Sequence, residues 1–447
     1  GPQGAAPLAD EALFVALLQS KVIHDLELER LLTTLRRALL EHAIEGDTAV
    51  DDDALVFYCA LAQQCFLNEY VFALSETERA QSRQIYDRIA AAIEADAQIA
   101  PLDVAVAASY RPLHKMAVAS SLLDRQWPSA VAQLLTQQIS EPLEETARRK
   151  NILVLTHIDD AVSLQVQNQY EENPYPRWTI TPPVRPTTIS EYLRDRLGMA
   201  PPGWTEPGRP DILIAGCGTG SHSIDTARRF PQSCVLAIDI SRTSLAYADR
   251  KAHELGLFNI EHAQADILKL DTLDRRFDVI ETAGVLHHLA DPAAGWRLLL
   301  SLLRPNGLMF VGLYSALARR SLTAARAQIA ERGYRATADD IRLCRQDLIA
   351  RSGMPPFRDF SSTSGCRDLL FNVMERQLTI PRIADFLDTN RLTFLGFEQL
   401  LPDTLEKFRQ LFPYPGALRD LISWHRFEER HPYTFSNMYF FWVQKRD

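Results

Sequence analysis

Asp211-Ile-Leu-Ile-Ala-Gly-Cys-Gly-Thr-Gly220 runs four apolar or small residues, Ile212 to Ala215, straight into three alternating glycines, Gly216, Gly218 and Gly220. An apolar run bounded this sharply reads as a strand buried on both faces, and the glycines mark the turn that must open into a helix. Without Cβ atoms the turn can bend tightly and let a ligand come close, while free N–H groups of the next helix face that ligand. A Gly-x-Gly-x-Gly also fits an ordinary tight turn, so the sequence downstream has to decide.

That sequence supplies a second strand, Cys234-Val-Leu-Ala-Ile-Asp239, ending in an acid about twenty residues beyond the glycines, where such units place an acceptor for ribose hydroxyls. A helix pattern over Ser241 to Leu255 leads to Ile260-Glu-His-Ala-Gln-Ala-Asp-Ile267, a third strand closed by Asp266. Phe277 to Leu289 and, after a further helix, Arg304 to Tyr314 complete an order β-α-β-α-β-α-β-α-β.

From Asp211 to Tyr314 the chain resembles the class I S-adenosylmethionine-dependent methyltransferases. The matching motifs come in order: Ala-Gly-Cys-Gly-Thr-Gly, Ala-Ile-Asp-Ile-Ser after strand two, Ala-Asp-Ile after strand three, Val-Leu-His-His-Leu after strand four, and Leu-Arg-Pro-Asn-Gly before strand five. The resemblance implies an α/β fold with a Rossmann-like, seven-stranded sheet and S-adenosylmethionine as cofactor. It places Gly216, Cys217, Gly218 and Gly220 under the methionine part, Asp239 with Ile240 at the ribose, Asp266 with Ile267 at the adenine, and Glu281 in the same set. A nicotinamide oxidoreductase is the rival, but its Gly-x-Gly-x-x-Gly is broken by Ser221.

The 447 residues are 46% hydrophobic and 23% charged, which fits two or three globular domains. A net charge of −9 disfavours nucleic acid as substrate and suits a basic protein or peptide, or a small molecule. Six cysteines without Cys-x-x-Cys, and eleven histidines without ligand spacing, suggest neither a disulfide framework nor a metal site. No apolar run approaches a membrane span and no signal peptide is legible, so the expectation is a cytoplasmic protein without membrane attachment. Gly1-Pro2 reads as the scar of a cleaved tag. A homodimer is compatible with all of this, and nothing specifies it.

Residues 3–160 carry no glycine between Gly46 and the later Gly198, and apolar residues recur at three and four spacing, as in Leu28-Leu31-Leu32-Leu35-Leu39 and Ile85-Ile89-Ala92-Ile93. This predicts an all-α domain, a possible protein-interaction platform, with Asp51 to Asp53 capping one helix and Ser75 to Glu78 forming a capping box on another. No aligned Trp, Gly and Pro set repeats at about thirty-four residues, so a repeat solenoid is not specified. Gln63 to Phe72 mixes polar and aromatic side chains, as core packing or as one wall of a substrate site.

Residues 161–210 read as linker and pocket-covering segment. Within them, Asn168-Gln-Tyr-Glu-Glu-Asn-Pro-Tyr-Pro-Arg-Trp178 cannot continue a helix past its prolines and has large rings to bury, either as a hinge or as part of a substrate site. Thr181 to Pro186 is a stiff linker, and a short helix ends at Gly198. Residues 211–447 form the methyltransferase domain of this reading, with a helical cap insertion after strand five over about 315–380, and Leu392–Phe397 and Met438–Val443 as the last two strands. An insertion at a strand end sits where it can roof the pocket.

A sulfonium cofactor needs chiefly an acceptor held in line and water kept out, with a base only where the acceptor loses a proton. Glu281-Thr-Ala-Gly-Val-Leu-His-His stands where amino-methylating nucleobase enzymes carry Asn/Asp-Pro-Pro-Tyr, which argues against base amines. His287 and His288 either supply a base, with His287 the candidate, or pack to shape the cofactor crevice, and Glu171, Glu172 and Tyr175 are the candidates to orient a guanidinium or ammonium of a protein or peptide acceptor. A small metabolite as acceptor and a catalytically silent cofactor-binding scaffold are the alternatives.

Overall fold

The computed structural model describes residues 11–46, 50–352 and 357–446. The tag scar Gly1-Pro2 and residues 353–356 of the inserted loop lie outside them.

Two compact units emerge. One comprises the described residues up to Ala147 together with Pro176–Ile180 and Ile329–Phe371; the other comprises Arg148–Tyr175, Thr181–Gln328 and the chain from Asn372 onward. The division departs from the sequence boundaries at 160 and 211. The insertion expected as a single cap over about 315–380 is shared between the units. A buried fork explains its middle part: Arg345, on the helix Ala338–Ser352, donates to both oxygens of Glu29 at 2.6 Å, binding that helix to Leu26–Ile44.

The first unit is helical, as its composition dictates. Asp51 caps Asp52–Leu67, and Ser75 with Glu78 closes a reciprocal capping box on Glu76–Glu94. Arg36 and Glu78, 3.3 Å apart and both buried, are joined by the Tyr110 hydroxyl, which donates to Glu78 at 3.1 Å. A buried charge is tolerated here because its partner and a further donor are buried with it.

The second unit holds a sheet of eight strands: β1 Leu153–Val154, β2 Asp211–Ala215, β3 Cys234–Asp239, β4 Ile260–Gln264, β5 Phe277–Ala283, β6 Leu303–Leu313, β7 Leu392–Phe397 and β8 Tyr439–Lys445. Their order is β1-β4-β3-β2-β5-β6-β8-β7, parallel throughout except β8, which runs antiparallel between β6 and β7. The expected count of seven is therefore corrected to eight. The extra strand, β1, is two exposed residues added beside β4, too short to show a period. The sheet is buried on both faces. Leu213, Ile238, Ile280 and Trp296 pack on one side, and Ile212, Ile214, Val279 and Phe230 on the other, as alternation along β2 and β5 requires.

The reversal of strand order lies between β2 and β5, whose C-terminal ends carry the glycine turn and the His287-His288 turn. In open α/β sheets that is where ligands bind.

Candidate functional site

The glycine turn is fixed by packing as much as by conformation. Gly216 has φ +82°, and a Cβ there would lie 2.2 Å from Val285 Cγ2; at Gly220, φ +88°, it would lie 2.6 Å from Ala248 Cβ. The turn is also pinned from β3: the N–H groups of Gly216 and Cys217 donate to the Ile238 carbonyl at 2.8 and 2.9 Å, and Cys217 is buried.

Asp239 at the end of β3 accepts from Gly218 N at 2.8 Å and Ser241 N at 2.9 Å. Burial raises its pKa, against those hydrogen bonds, which favour the carboxylate. Ile240 follows, half-buried, its carbonyl accepting from Gln264 at 3.0 Å. At the end of β4 the Asp266 N–H donates to Thr156 Oγ1 at 2.7 Å, and its Oδ1 caps the next turn at Leu268 N, 2.9 Å away. Its Oδ2 is buried without a hydrogen-bond partner, beside the buried Ile267. A buried acceptor left open is what a ligand with an amino donor would satisfy, so the residues present fit an adenosyl group at this end of the sheet.

Glu281 points elsewhere. Its Oε2 lies 2.6 Å from His222 Nε2 and accepts from Thr226 Oγ1 at 2.8 Å, so it is tied to the helix Ser221–Arg229 behind the glycine turn. Burial opposes charge on His222, but the Glu281 carboxylate outweighs it and raises the imidazole pKa. Burial would raise Glu281, and His222 with Thr226 more than reverse that. Sequence reasoning missed His222; the signal was an acid inside an apolar strand, which demands a buried partner.

His287 is completely buried, and neither ring nitrogen has a hydrogen-bond partner. Its ring lies 3.9 Å from that of Tyr314 and 4.4 Å from that of His288, centre to centre. Burial, reinforced by His288 and Arg319, holds its pKa well below the ordinary imidazole value. His288 Nδ1 donates to the Met374 carbonyl at 2.7 Å, and its ring meets Tyr170 edge-on at 6.4 Å. Arg319 stacks 3.5 Å from the Tyr314 ring centre and forks onto Glu375 at 3.1 and 3.0 Å.

Glu171 does not stand as the sequence suggested. One oxygen accepts from Arg242 N at 2.6 Å; the other accepts from the Thr243 hydroxyl and lies 2.9 Å from Arg149. The carboxylate anchors the start of the helix Arg242–Glu254. Glu172, the next residue, is exposed at the end of the helix Ala161–Glu172, and Tyr175 is half-buried beyond it. Among the described residues no group of three His, Cys, Asp or Glu side chains is placed to hold a metal ion, and no helix is long and apolar enough to cross a membrane.

Residues 212–307 match the family described as methyltransferase domain. Over these residues the chain is similar to methyltransferase domains, and the match spans the glycine turn, the acids ending β3 and β4 and the centre of this strand order. Among its relatives, an uncharacterized protein of Synechococcus sp. is 30% identical over 243 residues, 49% of this chain and 56% of that protein. Trans-aconitate 2-methyltransferase of Deinococcus radiodurans is 36% identical over 107 residues, 24% of this chain and 39% of that enzyme. The structure of PKMT2 from Rickettsia typhi in complex with AdoHcy aligns with a TM-score of 0.42 at 19% identity, over 60% of this chain and 55% of that one. The chain spans about half the length of the first curated relatives it matches.

Proposed function

We propose that the protein transfers the methyl group of S-adenosylmethionine to a side chain of a protein or peptide. The observation that carries methyl transfer is the open, buried Oδ2 of Asp266 at the same strand ends as the glycine turn and Asp239. In this reading Gly216, Cys217, Gly218 and Gly220 line the methionine part, Asp239 and Ile240 the ribose, and Asp266 and Ile267 the adenine. When bound, the sulfonium supplies an electrophilic methyl group. The chain's own task is to keep water out and hold the acceptor. His287, uncharged and with both nitrogens free of hydrogen bonds, is the proposed base for an acceptor that must lose a proton. Glu172 and Tyr175 are the side chains proposed to face the acceptor; Glu171 is withdrawn from that role.

A helical unit with its own core, which methyl transfer itself does not need, supports a macromolecular acceptor, and the net charge of −9 suits a basic one. The second reading, a small-molecule acceptor, is supported by the local similarity to trans-aconitate 2-methyltransferase. The protein, isotopically labelled S-adenosylmethionine and a lysate of its own organism separate the two. Label in the macromolecular fraction is expected; label only in metabolites ends the protein reading, and no label in either fraction favours a silent scaffold.

A further inference from the structure

Within the helical unit stands an ion pair whose hydrogen-bonding capacity the fold leaves open. The Arg177 guanidinium carbon lies 4.6 Å from the Phe66 ring centre, and its Nε is 3.9 Å from Glu69 Oε1. Their side chains are only 20% and 14% exposed. Among the described residues Arg177 donates no hydrogen bond. Glu69 Oε2 accepts from Ser364 N at 2.5 Å, while Oε1 accepts none. Neither group is among the buried polar atoms left without a partner, so solvent reaches both, and a ligand that carries an acceptor and a donor can take the place of that solvent.

The surroundings hold the pair in place. Glu69 and Tyr70 both have left-handed backbone, φ 55° and 60°, which non-glycine residues adopt only under constraint. The constraint is visible: Thr363 Oγ1 donates to the Glu69 carbonyl at 2.9 Å and Arg342 Nε to the Tyr70 carbonyl at 3.1 Å. Asn68, just before them, is completely buried with Nδ2 unpartnered, and Ser364 Oγ is buried and unpartnered as well. The Tyr70 hydroxyl reaches Gln138 at 3.3 Å, inside the π-helical turn Thr136–Ser140. His114 meets Phe66 edge-on, and burial with nearby Lys115 pushes its pKa down to about 4, so it adds no charge at neutral pH.

The two groups together restrict the ligand. A lone arginine would select a carboxylate or phosphate, and a lone glutamate an ammonium. A donor and an acceptor side by side, opposite in charge and set against an aromatic ring, match a flat neutral group that carries one acceptor and one donor. We propose that Arg177 and Glu69, against Phe66, bind a peptide amide of the acceptor chain, its carbonyl accepting from the guanidinium and its N–H donating to Glu69 Oε1. This rests on the reading of the acceptor as protein or peptide, and it places recognition of the main chain in the helical unit.

Direct titration of the full chain tests it without turnover. The Arg177 Nε–H resonance of ¹⁵N-labelled protein, assigned with Arg177→Lys, is followed against N-acetyl-leucine N-methylamide, N-acetyl-leucine and leucine amide. The blocked amide is expected to shift it, and Arg177→Gln and Glu69→Gln are each expected to weaken binding, measured by ligand-observed NMR, about tenfold or more. No shift with the blocked amide overturns the proposal. So does tighter N-acetyl-leucine binding in Glu69→Gln, which marks an anion site, or tighter leucine amide binding in Arg177→Gln, which marks a cation site. Arg177→Lys guards against a folding artefact, since it keeps the charge, breaks no protein hydrogen bond and removes the fork; retained amide affinity in it also overturns the proposal. Label appearing only in metabolites would end the protein-acceptor reading and leave this titration to be judged separately.

Discussion

Glu281 Oε2 and His222 Nε2 stand 2.6 Å apart, joining the middle of the sheet to the helix that follows the glycine turn. His222, raised above 6.5, contributes stability that is complete below that value and fades as pH rises through its folded pKa. Glu281, lowered below 4.5, contributes stability present above that value and lost as pH falls through its folded pKa. The pair therefore stabilises most between about pH 4.5 and 6.5. Because the His222 side chain is 35% exposed, screening keeps the effect modest, and Glu281→Gln is expected to cost about 1–3 kcal/mol in that window. Urea denaturation at pH 5.5 and pH 9 checks this, with a smaller difference expected at pH 9. Equal differences would count against an ion pair.

Asp266→Asn puts an amide where the buried Oδ2 has no partner, while Oδ1 can still cap Leu268. If that oxygen receives the cofactor's amino group, calorimetric titration with S-adenosylhomocysteine should show binding weaker by about 1–3 kcal/mol. Asp239→Ala should cost a similar amount. Unchanged affinity in Asp266→Asn would place the adenine elsewhere.

Glu171→Gln should act on stability and not on the acceptor. It removes the charge that faces Arg149 and the Arg242 N–H, and about 1–2 kcal/mol of stability should go with it. The KM for acceptor should stay as in the parent protein. A raised KM with unaltered melting temperature would restore Glu171 to the substrate site.

His287→Phe removes two buried nitrogens that have no partners, so thermal stability should hold or rise. Turnover on a proton-losing acceptor should fall by about 10²-fold or more if the ring takes that proton. With its pKa held well below 6.5, the parent protein should also keep its rate on the acid side of neutrality, because the base is already uncharged there. A variant as active as the parent would make His287 a packing residue.

The strands of the sheet's centre were legible because each is a short apolar run closed by a glycine turn or an acid, and local sequence is enough to specify such a unit: Asp211–Ala215 and Cys234–Asp239 stand where the pattern put them, and the third strand begins at Ile260 as read but ends at Gln264, two residues before Asp266. Ser75 and Glu78 were readable for the same reason, since a capping box spans one turn of chain. Tertiary structure alone decided what depended on partners far along the chain. The helix Ala338–Ser352 joins the helical unit because Arg345 finds Glu29, 316 residues away. Glu281 faces His222 and Thr226, and Glu171 holds a helix that begins 71 residues later. A one-dimensional pattern records which side chains must be satisfied if they are buried. Only folding chooses the neighbour that satisfies them, and the Arg177–Glu69 pair is left open by that same choice.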